Sequence, residues 1–125
     1  MKEGILMSDL KLGAVEMQFA EIIWENAPLS SGSLVTRCAE QLGWKKSTTY
    51  TVLKKLCSRG LFRNDGGTVT PLISRAEYDA MQSTQFVEEN FSGSLPAFLA
   101  AFTKKKQLSQ SEIDEIRAMI DSIGG

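Results

Sequence analysis

The chain holds 125 residues with 42% hydrophobic and 23% charged content, enough for one compact domain plus an appendage around a core of ordinary size. It contains no histidine, which removes the commonest general base and the commonest metal ligand, and no apolar run reaches the length needed to cross a membrane. The net charge of −1 hides an asymmetry: residues 37–63 carry seven cations against the single acid Glu40, a local +6, whereas residues 75–125 carry five cations against eight acids, a local −3. A near-neutral protein with one basic segment fits a DNA binder whose acidic half does something else. The start, Met1-Lys2-Glu3-Gly4, lacks the basic-then-apolar order of a signal peptide, so a cytoplasmic location without direct membrane binding is expected.

Along the chain, residues 14–26 read as a first helix, with Val15, Phe19, Ile22, Ile23 and Trp24 recurring at spacings of three and four. Pro28 sits in the break that follows. Ser30 and Ser31 are candidate N-caps for a second helix running to about Leu42, with Leu34, Val35, Cys38 and Leu42 on one face and Gly43 as its stop. Lys46 or Ser47 opens a third helix that Gly60 closes. Asp65-Gly66-Gly67 is a turn signal between two β-type runs, Leu61-Phe62-Arg63 and Thr68-Val69-Thr70, with Pro71 tolerating only an edge position. Three helices and a hairpin in that order predict a winged helix-turn-helix over residues 8–74.

Residues 75–125 read as a helical extension. A long helix over 75–90 opens at Ser74 with Glu77 three residues on, the pattern of a capping box. Ser92-Gly93-Ser94 breaks it. A short apolar helix over 95–102 precedes the charged interruption Lys104-Lys105-Lys106. Ser109 or Ser111 caps a last amphipathic helix carrying Ile113, Ile116, Met119, Ile120 and Ile123. The fold class expected is therefore mostly α with a small β-wing, a winged helix-turn-helix plus a C-terminal helical dimerisation region. The apolar stripe Leu95, Phe98, Leu99, Phe102, Ile113, Ile116, Ile120 and Ile123 has no core of its own and calls for a second copy.

The third helix carries the functional signal. Val52, Leu53, Leu56 and Cys57 face inward on a helical wheel, leaving Ser47, Thr48, Tyr50, Thr51, Lys54, Lys55 and Ser58 outside, with 47, 51, 54 and 58 in one stripe. Hydroxyls near a helix N-terminus reach base edges or phosphates, and lysines reach the DNA backbone or guanine. Lys45, Lys46, Ser47, Thr48, Tyr50, Thr51, Lys54, Lys55 and Arg63 are the expected DNA contacts, with Tyr50 and Thr51 as base readers. A merely solvated helix face is the competing reading, and the +6 segment and the hairpin weigh against it.

These pieces resemble the penicillinase-repressor family, which includes β-lactamase, methicillin-resistance and copper-responsive repressors. The resemblance is carried by 14–17 with Ile22-Ile23-Trp24, by Trp44-Lys45-Lys46-Ser47-Thr48-Thr49-Tyr50-Thr51-Val52-Leu53-Lys54-Lys55-Leu56 with Arg59-Gly60-Leu61, and by 70–78, 91–99 and the helix to Ile123. It implies a homodimer on a palindromic double-stranded DNA operator. Copper-responsive relatives carry a CxC motif near the C-terminus, whereas this chain has no cysteine beyond Cys57, so copper sensing by that motif is not expected. β-lactam-responsive relatives are cut at an Asn-Phe bond, with a membrane sensor-protease as partner. Ala101-Phe102 aligns with that bond, keeping the phenylalanine and not the asparagine, and is the candidate cleavage site. The other reading of Phe102 is a dimer-core aromatic.

An enzyme is not expected: the chain shows no nucleophile elbow, no Gly-rich phosphate loop and no paired metal ligands, so neither cofactor nor metal is assigned. Cys38 and Cys57 form no CxxC or CxC pair and read as buried free thiols. The alternatives to a repressor are a winged-helix protein-interaction module and a regulator controlled by a small ligand.

Overall fold

A computed structural model describes residues 10–124. The reading of Met1–Gly4 and the first two residues of the expected 8–74 domain lie outside this range. The elements follow as α1 (Ala14–Asn26), β1 (Leu29–Ser30), α2 (Ser31–Leu42), α3 (Lys46–Ser58), β2 (Phe62–Asp65), β3 (Thr68–Pro71), α4 (Arg75–Phe91), α5 (Leu95–Lys105) and α6 (Gln110–Gly124). Helices α1–α3 and the antiparallel sheet β1-β3-β2 form a winged helix-turn-helix.

The core of this unit is one cluster. Phe19, Ala20, Ile22 and Ile23 of α1 meet Leu34 and Cys38 of α2, Leu53 and Leu56 of α3, and Leu61, Phe62 and Val69 of the wing. Val15 stands on the same stripe as Phe19 but in the first helical turn, and it is 56% exposed. Gly43 ends α2 in the left-handed conformation (φ 69°), which a residue without Cβ adopts at no steric cost. The next residue, Trp44, then stacks on Phe19 with ring centroids 5.5 Å apart, fixing the turn into α3.

The hairpin turns at Gly66 and Gly67, both at positive φ (61° and 93°), as a two-residue connection of this twist requires. The Asn64 side-chain carbonyl accepts from the Gly67 N–H at 3.1 Å. Strand β1 escapes the sequence reading because two residues carry no alternation; it exists only through its pairing, Leu29 with Val69 and Ser30 with Thr68. That pairing makes β3 the central strand. Pro71 is tolerated there because it faces only Phe62, beyond the end of β1.

The chain divides into two compact units, one running to Gln85 and one beginning at Phe86, so α4 contributes to both. The start of α4 belongs to the first because Tyr78 is buried in its core and accepts the Leu12 N–H at 2.9 Å. Ser74 and Glu77 form the expected capping box, the Ser74 N–H donating to Glu77 Oε1 at 2.8 Å and the Glu77 N–H to Ser74 Oγ at 3.0 Å.

In the second unit, Ser92 and Gly93 take positive φ and separate α4 from α5. Ser94 caps α5 by accepting the Ala97 N–H at 3.1 Å. The helix runs on through Lys104 and Lys105, three residues past the expected end, since cations are favourable at a helix C-terminus. Ser109 caps α6 reciprocally with Glu112. Among the described residues of α5 and α6 none is buried.

Candidate nucleic-acid interface

Helix α3 is anchored by Thr49, Leu53 and Leu56, while Val52 and Cys57 are only half-buried. Thr49 is the member the sequence reading missed. Its hydroxyl donates to the Lys45 carbonyl at 3.3 Å, the local satisfaction that lets a polar residue enter the core. The opposite face presents Ser47, Thr48, Thr51, Lys54 and Ser58 to solvent, as the helical period requires.

The N-terminus of α3 is electrostatically unusual. Lys45 occupies the cap position with no side-chain cap, Lys46 opens the helix, and no acid lies in the first turn. Cations at the positive end of a helix dipole are unfavourable unless an anion is brought to them. Among the described residues, Lys45, Lys46 and Lys54 have no acid within ion-pair distance.

Tyr50 also lies on the exposed side, but it is not a lone reader. Its Oη donates to Ser31 Oγ of α2 at 3.0 Å. Lys54, Tyr50, Leu53, Cys57 and Asn64 line a cleft of about 340 Å³ between α3 and the wing strand β2. Arg63 projects from β2, 63% exposed, and approaches Asp65 at 3.8 Å. The structure thus brings Lys45, Lys46, Ser47, Thr48, Tyr50, Thr51 and Lys54 onto one helix with Arg63 on the adjoining wing. Lys55 is set apart: its Nζ lies 2.7 Å from Glu16 Oε2 of α1.

Both cysteines are free thiols, Cys38 buried and Cys57 half-buried. Burial pushes both thiol pKa values up. Among the described residues no group of three metal-ligating side chains forms, and no helix is long and apolar enough to cross a membrane.

The second unit holds an aromatic cluster built from α4 and α5. Phe98 packs edge-on against Phe91 (5.6 Å) and Phe86 (6.1 Å) and lies 5.9 Å from Phe102. Phe86 and Phe91, at the end of α4, were not among the expected members; their spacing of five hides that the turn at Gly93 folds α5 back onto them. These four rings line an apolar groove of about 430 Å³. Leu95 (53%), Phe102 (41%), Ile120 (54%) and Ile123 (83%) stay exposed, while Leu99, Ile113 and Ile116 are half-buried. Ala101 and Phe102 lie inside α5, where the Phe102 carbonyl accepts the Lys106 N–H at 3.1 Å.

The penicillinase repressor family model matches residues 12–122. The chain is 24% identical over 115 residues to the penicillinase repressor of Bacillus licheniformis, covering 89% of this chain and 90% of that protein. It is 23% identical to the methicillin resistance regulatory protein MecI of Staphylococcus aureus, covering 94% of the latter, and 22% identical to MecI of Mammaliicoccus sciuri. The match runs through the winged helix and on into α6, so the chain as a whole belongs to the penicillinase repressor family.

Proposed function

We propose that this protein is a DNA-binding transcriptional repressor that acts as a homodimer on a two-fold symmetric operator. The observation that carries the proposal is the outer face of α3: an uncapped helix start with Lys45 and Lys46, then Ser47, Thr48, Thr51 and Lys54 in the open, beside the Arg63 wing. Lysines supply the salt-sensitive grip on phosphate, and the Thr51 hydroxyl together with the ring and accepting oxygen of Tyr50, whose proton goes to Ser31, supply base-edge contacts. Family membership supports the repressor role.

Residues 8–74 are the proposed DNA-binding domain and 75–125 the dimerisation region. Leu95, Phe98, Leu99, Phe102, Ile113, Ile116, Ile120 and Ile123 are proposed to meet the same stripe of a second copy, the cheapest way to dry a surface that one protomer leaves wet. Cutting at Ala101-Phe102 by a sensor-protease would sever this region and release the operator. That bond is helical, so α5 must open locally before a protease can engage it.

Mobility shift of the full-length protein on bulk duplex DNA and on heparin, at two salt concentrations, tests the reading. Binding that weakens steeply with salt is expected. Indifference to both polyanions would leave a protein-interaction module or a ligand-controlled regulator of another kind.

A further inference from the structure

Lys54 and Lys55 are neighbours in sequence and look equivalent there, but one residue of α-helix turns the chain by about 100°, so they cannot serve the same surface. Lys54 is exposed and lines the cleft between α3 and β2. Lys55 points at α1, where Glu16 Oε2 holds its ammonium at 2.7 Å. One turn on, Arg59 approaches Glu16 Oε1 at 3.6 Å and donates from Nη2 to the Lys11 carbonyl at 2.9 Å. Glu16 itself is well enclosed, 21% exposed, and also accepts the Gly13 N–H at 3.2 Å. One carboxylate therefore gathers two cations of the basic segment and a helix-capping contact.

We propose that Glu16 is a positioning residue that withholds Lys55 and Arg59 from DNA and thereby sets how many cations of the basic segment reach phosphate. The proposal rests on the DNA-binding reading. Its consequence is selectivity: phosphate contacts raise affinity for every sequence equally, so a carboxylate that sequesters cations lowers the non-specific background without touching base readers. The same ion pairs tie the C-terminal half of α3 to α1, holding the helix at a fixed angle to the domain.

The test is the slope of log affinity against log salt, measured with the full-length protein on a random-sequence duplex. Each phosphate contact contributes about −0.9 to it. Glu16→Gln keeps an acceptor for the Gly13 N–H, so the α1 cap survives, and circular dichroism checks the fold. We expect Glu16→Gln to tighten binding at low salt. Its slope should steepen by about 0.9 per freed cation, a further loss of roughly threefold for each between about 50 and about 200 mM salt. Lys55→Ala alone should leave the slope unchanged, while Lys54→Ala should flatten it by about 0.9. Adding Lys55→Ala to Glu16→Gln should return part of the gained slope. A Lys55→Ala variant that flattens the slope by itself, or a folded Glu16→Gln variant that does not steepen it, overturns the proposal while leaving DNA binding standing. A wild-type protein that binds no DNA at either salt overturns both.

Discussion

Tyr50 of α3 and Ser31 of α2 are joined by a 3.0 Å hydrogen bond between their hydroxyls, 19 positions apart in sequence. The Ser31 N–H in turn donates to the Gly67 carbonyl at the wing turn, at 2.8 Å. Helix α3, helix α2 and the wing therefore converge on one serine. A tyrosine ring restrained at its far end has little rotamer entropy left to lose, which would favour the base contact proposed for it. Ser31→Ala should cost less than about 1.5 kcal/mol of stability, since the hydroxyl pair is exposed. Tyr50→Ala or Thr51→Ala should each lose about 1–3 kcal/mol of discrimination at one operator position and spare non-specific binding. Competition titrations with single-position operator variants check this; a uniform loss on all sequences would make that residue a backbone contact.

Trp44 predicts a stability effect of another kind. It stands between the left-handed Gly43 and the start of α3, stacked on the fully buried Phe19. Trp44→Ala removes that stack and loosens the angle between α2 and α3. A loss of about 2–4 kcal/mol is expected in urea unfolding, near the low end for buried aromatics because Trp44 is only half-buried. A loss below about 0.5 kcal/mol would show that the turn holds without the ring.

The Lys55 ammonium holds the Glu16 carboxyl below the ordinary glutamate value; the Gly13 N–H and the charges of Lys55 and Arg59 add to this, against the opposing cost of burial. A carboxyl depressed in the folded state stabilises it above the unfolded-state value, and that contribution disappears as pH falls through the folded-state value. Glu16→Gln should therefore be less stable than wild type near neutral pH, and the gap should close as the solution is acidified below the ordinary glutamate range. Urea midpoints of both proteins followed from neutral to acid check the sign; a gap that widens on acidification contradicts it.

Much of this architecture is legible in the sequence because its signals are local. The pairs Ser74–Glu77 and Ser109–Glu112 announce helix starts, Gly43 a helix end, and Gly66-Gly67 a hairpin, and each has its partner within four residues. What stayed hidden depends on distant chain. Strand β1 is defined by Thr68 and Val69, nearly forty residues away. Thr49 is the local exception: its hydroxyl finds the Lys45 carbonyl only four residues back, but a polar side chain does not register in an apolar periodicity. Lys55 belongs to a different surface from Lys54 only because Glu16, in another helix, stands opposite it. Phe86 and Phe91 join the aromatic cluster only once the turn at Gly93 is made.

The last helix offers a test of assembly that leaves the protomer intact. Ile120 is 54% exposed and Ile123 83% exposed, so a charge at either position disturbs little within one chain. Ile120→Asp should nevertheless convert a dimer to a monomer in sedimentation and weaken operator binding by tenfold or more, on the order of 1.4 kcal/mol, because each winged domain alone reads few base pairs. A variant that sediments like wild type would place the dimer contact elsewhere.

Selection of bound duplexes from a random DNA library by the full-length protein puts the central proposal, symmetric sequence-specific binding, to its most direct test. An enriched inverted repeat is expected, its half-site centres about 10 base pairs apart or a multiple of that. Recovery of no preferred sequence, or of a single unrepeated half-site, would contradict a dimeric operator-binding repressor.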